Sequence, residues 1–270
     1  MKFPQPSQEY EELKTFSAPW GICYGPIQSR RLGQSLGINL SGSDEKICSF
    51  DCIYCELGRT NVKMSQIKKI AQFPTLENID KEVRQFIVDL TKRSQKFDFI
   101  CISGNGEPTL HPDFEDVARL TKKIRDDLVP DVKTAILSNG ATLDNSKTVR
   151  GMNHLDQRMI KIDAGNDNML TKLDSPLVRL TVAKLLQGIK KLKDLTVQSY
   201  FSQGIVDNTI PSEIDDWIEV VGIVKPKLVH IYSLDRVPPV TGLKPVPYQK
   251  LKEISVTLQR RTGIKSVVFS

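Results

Sequence analysis

Residues 97–128, FDFICISGNGEPTLHPDFEDVARLTKKIRDDL, change period part-way, and that change decides how the chain folds. FDFICISG is a short run of aromatic and β-branched residues, the composition of a buried strand. GNGEPTLHP carries the glycine and proline of a turn-bearing loop. DFEDVARLTKKIRDDL then spaces its apolar residues three and four apart, as a helix with one buried face requires.

The same strand–loop–helix order recurs on both sides. Upstream, SLGINLS (35–41) reads as a strand and IDKEVRQFIVDLTKRSQ (79–95) as a helix. Downstream, the strand candidates KTAILSNG, RMIKIDAG, TVQSYFSQG and KLVHIYSLD alternate with the helix candidates NSKTVRGM, LVRLTVAKLLQGIKKLKD, SEIDDWIEVVGIVK and PYQKLKEISVTLQRRTG. Six βα units predict a parallel sheet with helices outside it. A chain of 270 residues is short for eight units. The expected fold is therefore α/β, a partial (β/α)6 parallel-strand barrel, with a doubly wound open sheet as the alternative. Residues 1–270 read as a single domain, 1–34 being an N-terminal extension and loop that leads into the core. The proline-rich DRVPPVTGLKPVPYQK reads as one long loop.

The N-terminus is polar and proline-marked rather than built like a signal peptide, and no apolar run is long enough to cross a bilayer. A cytoplasmic protein with no membrane partner is expected. The formal charge of +6 tolerates anionic partners but is spread among 32 acidic residues, so it hints only weakly at nucleic acid. Five cysteines, an odd number, argue against a disulfide framework and for metal or redox use.

In parallel α/β folds the functional loops follow the strands. Here those loops hold the polar sequences: the cysteine stretch, GNGEPTLHP, SNG, DAGND, QGIVDN and LDRVPP. KICSFDCIYCELGRT (46–60) crowds Cys48, Cys52 and Cys55 into one short loop, where several sulfurs can wrap one soft metal centre. A structural zinc site wants four closed ligands, and this trio has no nearby His and no second CxxC. A 4Fe-4S cluster on three cysteines would leave one iron open to a small molecule.

CSFDCIYC resembles the CxxxCxxC pattern of the radical S-adenosylmethionine (radical SAM) enzymes, with Tyr54 directly before the third cysteine. GNGEPTLHP is similar to that superfamily's GGE motif, with Asn105 in place of the middle glycine, and SNG (138–140) and KIDA (161–164) sit where similar enzymes have SAM-contacting strand ends. YGPIQSRRLGQSLGINL, the cysteine stretch and YSLDRVPP resemble the branch that contains the wybutosine-synthesis enzyme of transfer RNA. That enzyme carries a second cluster on three further upstream cysteines, of which this chain has only Cys23.

The resemblance implies a 4Fe-4S cluster on Cys48, Cys52 and Cys55, with SAM chelating the open iron. Reductive cleavage of SAM then yields a 5′-deoxyadenosyl radical that abstracts hydrogen from a substrate. It implies SAM contacts from Tyr54 beside the adenine, from Gly104, Asn105 and Gly106 as a close-approach loop, from Glu107 to the ammonium, from Ser138 and Asn139 to the ribose, and from Asp163. It also implies an external electron donor of flavodoxin or ferredoxin type.

The residues also allow plainer readings. Gly104, Gly106 and Glu107 suit an ordinary turn and cap, and Lys161 and Asp163, on one strand face, suit an internal ion pair. Lys161, Asp163, Tyr232, Asp235 and Arg236 are the catalytic candidates, and Arg30 and Arg31 the candidates for an anionic substrate. Cys23 and Cys101 read as packing residues, and His111, His154 and His230 as structural. The sequence does not identify the substrate; a transfer RNA or other nucleoside is one candidate. A peptide or protein target stays open, as does a non-catalytic metal-binding module that interacts with RNA.

Overall fold

In the structure, a computed structural model that describes residues 21–42, 45–67 and 72–269, the alternating periods become alternating elements. The described chain opens with an antiparallel hairpin, β1 (Cys23–Ser29) and β2 (Gly33–Ile38). From β2 onward the main sheet is parallel: β3 (Phe99–Ile102), β4 (Lys133–Ser138), β5 (Gln157–Lys161), β6 (Leu195–Tyr200), β8 (Leu228–Tyr232) and β10 (Ser266–Phe269). The spatial order is β1-β2-β3-β4-β5-β6-β8-β10. The crossovers are α1 (Leu76–Lys92), α2 (Phe114–Leu128), α3 (Ser146–His154), the pair α4 (Asp167–Asp174) and α5 (Val182–Ile189), α6 (Pro211–Val224) and α7 (Tyr248–Thr262). These are the six expected βα units of a curled parallel half-barrel.

The curl is visible in contacts between the two ends of the strand order. Arg30, in the β1–β2 turn, reaches Asp235, which follows β8. Arg31 lies over the ring of Tyr232 at the end of β8. Opposite ends of the sheet face each other without a shared ladder.

Period-two alternation divides each strand between two environments. Leu36, Ile38, Ile100, Ile102, Ile136, Ile160, Val197, Val229 and Ile231 join one large core with the buried faces of the helices. Cys101, Ala135 and Met159 form a separate cluster with Leu32 on the inner face. Further along that inner face the strands carry Lys161, Gln198, Tyr200, His230 and Tyr232. An interior this polar is costly to build, and it marks where the chain departs from simple packing.

Four features differ from the sequence reading. Residues 23–29, read as part of an N-terminal loop, form edge strand β1; that strand is half-buried at most, so it shows no apolar alternation. Residues 1–20 of the expected extension lie outside the described residues. β10 adds a strand beyond the sixth unit. The proline-rich loop contains β9 (Leu243–Lys244), which pairs with β7 (Gln203–Gly204) in a small antiparallel ribbon. The long helix expected over 177–194 is confined to α5, because the Thr181 hydroxyl accepts the Lys184 N–H and caps its start; α4 stands ahead of it.

Candidate functional site

The loop after β2 carries the three thiols, and neighbouring elements hold it on both sides. On one side Ile47 bridges Gly106: the Ile47 N–H donates to Asn105 O at 2.9 Å and the Glu107 N–H to Ile47 O at 2.9 Å. Gly106 has φ +133°, and a Cβ there would lie 1.8 Å from Ile47 O, so only glycine fits this approach. On the other side the end of α4 takes the loop: Ile53 N–H donates to Leu173 O at 3.0 Å, Asp51 N–H to Asp174 O at 3.1 Å, and Leu177 N–H to Ser49 O at 2.8 Å.

Cys48 and Cys52 are buried and Cys55 is half-buried. Burial pushes the Cys48 thiol up to about 12 and the Cys52 thiol well above its usual range, so without a metal these groups hold their protons. The surroundings nevertheless suit anionic sulfur. Lys46 is buried with its ammonium on Gly58 O at 2.8 Å. Burial alone would lower that ammonium, but negative charge on the sulfurs of Cys55, Cys48 and Cys52 raises it above the usual lysine range. The Phe50 N–H lies 3.4 Å from Cys48 Sγ and Asn139 Nδ2 3.7 Å from the same sulfur. Among the described residues no group of three His, Cys, Asp or Glu side chains is placed to hold a single ion. Three separated thiols with a buried cation and N–H donors fit a cluster with iron at separate corners better than a closed zinc site.

The β3 and β4 loops are joined through Glu107. Its Oε1 accepts from the Thr109 N–H (3.1 Å), the Thr109 hydroxyl (2.6 Å) and the Ser138 hydroxyl (2.8 Å), and its Oε2 from the Asn139 N–H (2.7 Å). Burial outweighs these donors and raises the carboxyl above its usual range. Glu107, Ser138 and Asn139 are thus brought together with the thiol loop, and Asn139 Nδ2 also donates to Ser49 Oγ at 3.0 Å. Gly104 and Asn105 lie against Asn39, whose Oδ1 accepts the Asn105 N–H at 3.1 Å.

Lys161 and Asp163 do form an internal ion pair, and Asp174 of α4 completes a triad around the lysine. Burial alone would lower the Lys161 ammonium; the two carboxylates hold it well above its usual range. One cation cannot balance two buried anions, and burial raises Asp174. Asp163 also accepts from the Tyr54 hydroxyl and, at 2.9 Å, from the Tyr200 N–H. The Tyr54 ring stacks on Tyr200 with centroids 3.5 Å apart, so it lines the half-barrel interior.

Asp235 and Arg236 lie outside this cluster, in exposed pairs with Arg30 and Glu56, each at 3.2 Å. His111 is structural: Nε2 meets Pro74 O at 2.9 Å and Nδ1 accepts the Asp113 N–H at 3.1 Å. Cys101 is buried inside the sheet and Cys23 packs against the main core. The sequence reading passed over Asp174, Lys46, Ser49, Thr109 and Tyr200. For the helix that carries Asp174, though not for its place in the site, a signal existed: Asn166 as cap, followed by Met169, Leu170 and Leu173 at helical spacing.

The loops of this α/β half-barrel bring together three thiols, a glycine-flanked carboxylate and an Asn-bearing strand end, an arrangement that suits a soft-metal cofactor. A model of the radical SAM superfamily matches residues 46–221, and the chain belongs to that superfamily, whose members work with a 4Fe-4S cluster and SAM.

Its curated relatives include a UPF0026 protein of Helicobacter pylori, 32% identical over 174 residues, covering 64% of this chain and 52% of the relative. A protein of Brachyspira hyodysenteriae named GTPase Obg is 28% identical over 217 residues, covering 79% of this chain and 30% of that protein. The chain therefore spans about half the length of the first relative and under a third of the second. In fold it is similar to TYW1 with a lysine-pyruvate adduct bound, with a TM-score of 0.65 and 15% identity over 87% of this chain and 76% of that one. No described helix is long and apolar enough to cross a membrane.

Proposed function

We propose that this chain carries out a radical SAM reaction that begins with hydrogen abstraction from an RNA nucleoside. The observation that carries the reading is the meeting of three motif loops: Gly106 backs onto Ile47, and Asn139 touches both Cys48 and Ser49. When bound, the cluster and SAM supply the 5′-deoxyadenosyl radical.

The remaining work belongs to the chain. Cys48, Cys52 and Cys55 hold the cluster, while Lys46, the Phe50 N–H and Asn139 offset its negative charge. Gly104 and Gly106 let Asn39 and Ile47 approach the backbone and so seat the carboxylate loop against the thiol loop. Glu107 keeps acceptor capacity on Oε2 for the SAM ammonium and locks Ser138 and Asn139 in place for the ribose. Tyr54, Tyr200 and Tyr232 wall the interior and exclude water from the reacting atoms. Lys161, clamped by Asp163 and Asp174, is held as an ammonium and has no lone pair to add to a carbonyl. A one-electron donor of flavodoxin or ferredoxin type completes the cycle.

The substrate class rests on charge. Arg179, Lys184, Lys190, Lys191 and Lys193 are exposed around α5, with no ion-pair partner among the described residues. Arg179, Lys184 and Lys191 line a cavity of about 200 Å³ shared with Ala141 and Leu180, which themselves pack on the thiol loop.

Anaerobic reconstitution tests the reading. About four irons per chain with 4Fe-4S absorption are expected, together with 5′-deoxyadenosine from SAM under reduction. Absence of either leaves a non-catalytic metal module. A Cys55→Ala variant that still cleaves SAM would overturn the ligand assignment, and product formed only on a peptide would move the substrate class.

A further inference from the structure

Arg30 and Arg31 are adjacent in sequence and face different surroundings. Arg30 is exposed and pairs with Asp235 at 3.2 Å. Arg31 turns into the half-barrel, its guanidinium carbon 4.6 Å above the centroid of the Tyr232 ring. Its side chain makes no hydrogen bond or ion pair among the described residues. A half-buried guanidinium offers five N–H donors in a planar fork, and none of them is used by the described residues.

The wall beside it has unspent capacity of the same kind. His230 precedes Tyr232 by two on β8 and so shares its face. It is 4% exposed, and its Nδ1 has no hydrogen-bond partner. Burial, with the Arg31 charge nearby, holds its imidazole down to about 4, so it is neutral and able to donate from one nitrogen. Tyr200, paired with Tyr232 across the β6–β8 ladder, is 1% exposed, and among the described residues its hydroxyl makes no well-directed hydrogen bond. Buried polar atoms left unmet destabilise the fold unless a ligand meets them. The acidic groups of the interior, Asp163 and Asp174, are already committed to Lys161 and Tyr54. One positive charge and two neutral donors therefore await an acceptor.

We propose that Arg31, backed by the Tyr232 face and flanked by His230, is an anion subsite of the half-barrel interior that takes one singly charged oxyanion of the substrate, a carboxylate or a phosphodiester. This rests on the reading of that interior as the substrate chamber. A dianion fits less well, since one guanidinium would leave a buried negative charge unbalanced. The planar fork matches either oxyanion bidentately.

The test uses the reconstituted holoenzyme with SAM under anaerobic conditions, titrated separately with acetate, dimethyl phosphate and inorganic phosphate. Binding is read as a saturable shift of the Arg31 Nε–H resonance and, for all variants, by calorimetry. Saturation by acetate or by dimethyl phosphate is expected, and none by inorganic phosphate at about pH 9, where it is a dianion; the monoanion that saturates names the source. Arg31→Gln should weaken that probe at least about tenfold, whereas Arg30→Gln should leave it within about twofold. If Arg31→Gln fails to fold, Arg31→Lys serves, with a loss of about threefold to tenfold from the missing fork.

No saturable monoanion, equal binding by wild type and whichever Arg31 variant folds, or equal losses at Arg30 and Arg31 would each overturn the subsite. Iron content and 5′-deoxyadenosine formation are measured on the same wild-type preparation. Their failure removes the radical SAM reading, whereas intact SAM cleavage without probe binding removes the subsite alone.

Discussion

At Lys161 a single buried cation serves two carboxylates. The Asp163 side chain is 0% exposed, Asp174 2% and Lys161 14%. Removing the lysine strands both acids, and breaking a buried pair in this way costs about 3–5 kcal/mol. Lys161→Met should therefore unfold at markedly lower urea, and Lys161→Met/Asp174→Asn should recover part of the loss, because the second change removes a charge that the first left unpaired. Additive losses in urea melts would show that the three groups act independently. Two of the three members of this triad were legible in the sequence, since Lys161 and Asp163 alternate along one strand. Asp174 was not, because only the packing of α4 brings it there. Glu107 shows the same limit: its place in a motif is visible in sequence, while its four protein donors come from two loops and can be counted only in three dimensions.

Helices and strands position those residues through a few long-range ties. The thiol loop hangs between the β3 loop and the end of α4, so Gly106→Ala, which drives a Cβ into Ile47 O, should loosen one support and lower the iron retained after desalting. Iron retention equal to wild type would show that the bridge is dispensable. A second tie is Asp156. Its carboxylate accepts from the Thr134 N–H and hydroxyl at the start of β4 and from Arg125 near the end of α2, at 2.6 to 3.0 Å. Burial alone would raise this carboxyl, but those partners hold it below its usual range. The stabilisation is therefore present above the unfolded carboxylate value of about 4 and fades as pH falls through the lower folded value. At this one-third exposed site, screening keeps the cost of Asp156→Asn to about 1 kcal/mol. The gap between wild type and variant should be full at neutral pH and close in acid, and a gap independent of pH in thermal melts would exclude the charge as its source. The six βα units were readable because each buries an apolar face with a clean period. β1, β10 and the β7–β9 ribbon are short or half-exposed and leave no such period, and α4 is two turns long beside a much longer apolar run.

Across the whole molecule, net charge said less than its placement does. A charge of +6 over 270 residues reads as a mixed, solvated surface, and much of it is neutralised locally. On α2, for example, Lys122 and Lys123 pair with Asp126 and Asp127. The five cations around α5 have no such partners among the described residues, and Arg179, Lys184 and Lys191 line the cavity beside the thiol loop; residues 179–193 show the cluster in sequence, but the lack of carboxylate partners shows only in the fold. Unpaired cations on one face release counterions from a polyanion, and affinity then falls with salt by about 0.7–0.9 log units per log unit of salt for each phosphate contacted. Lys184→Glu/Lys191→Glu should weaken binding of unmodified transfer RNA and flatten its salt dependence by roughly 1.5 to 2 in slope. Lys122→Glu/Lys123→Glu carries the same change in net charge on cations that are already paired with carboxylates. If filter binding across a salt series gives the two double variants equal losses, the RNA is responding to net charge alone and α5 is not its docking face. If the loss and the change of slope follow α5 only, the polynucleotide is held on the side of the half-barrel where Ala141 and Leu180 join the basic cavity to the thiol loop, within reach of the chemistry.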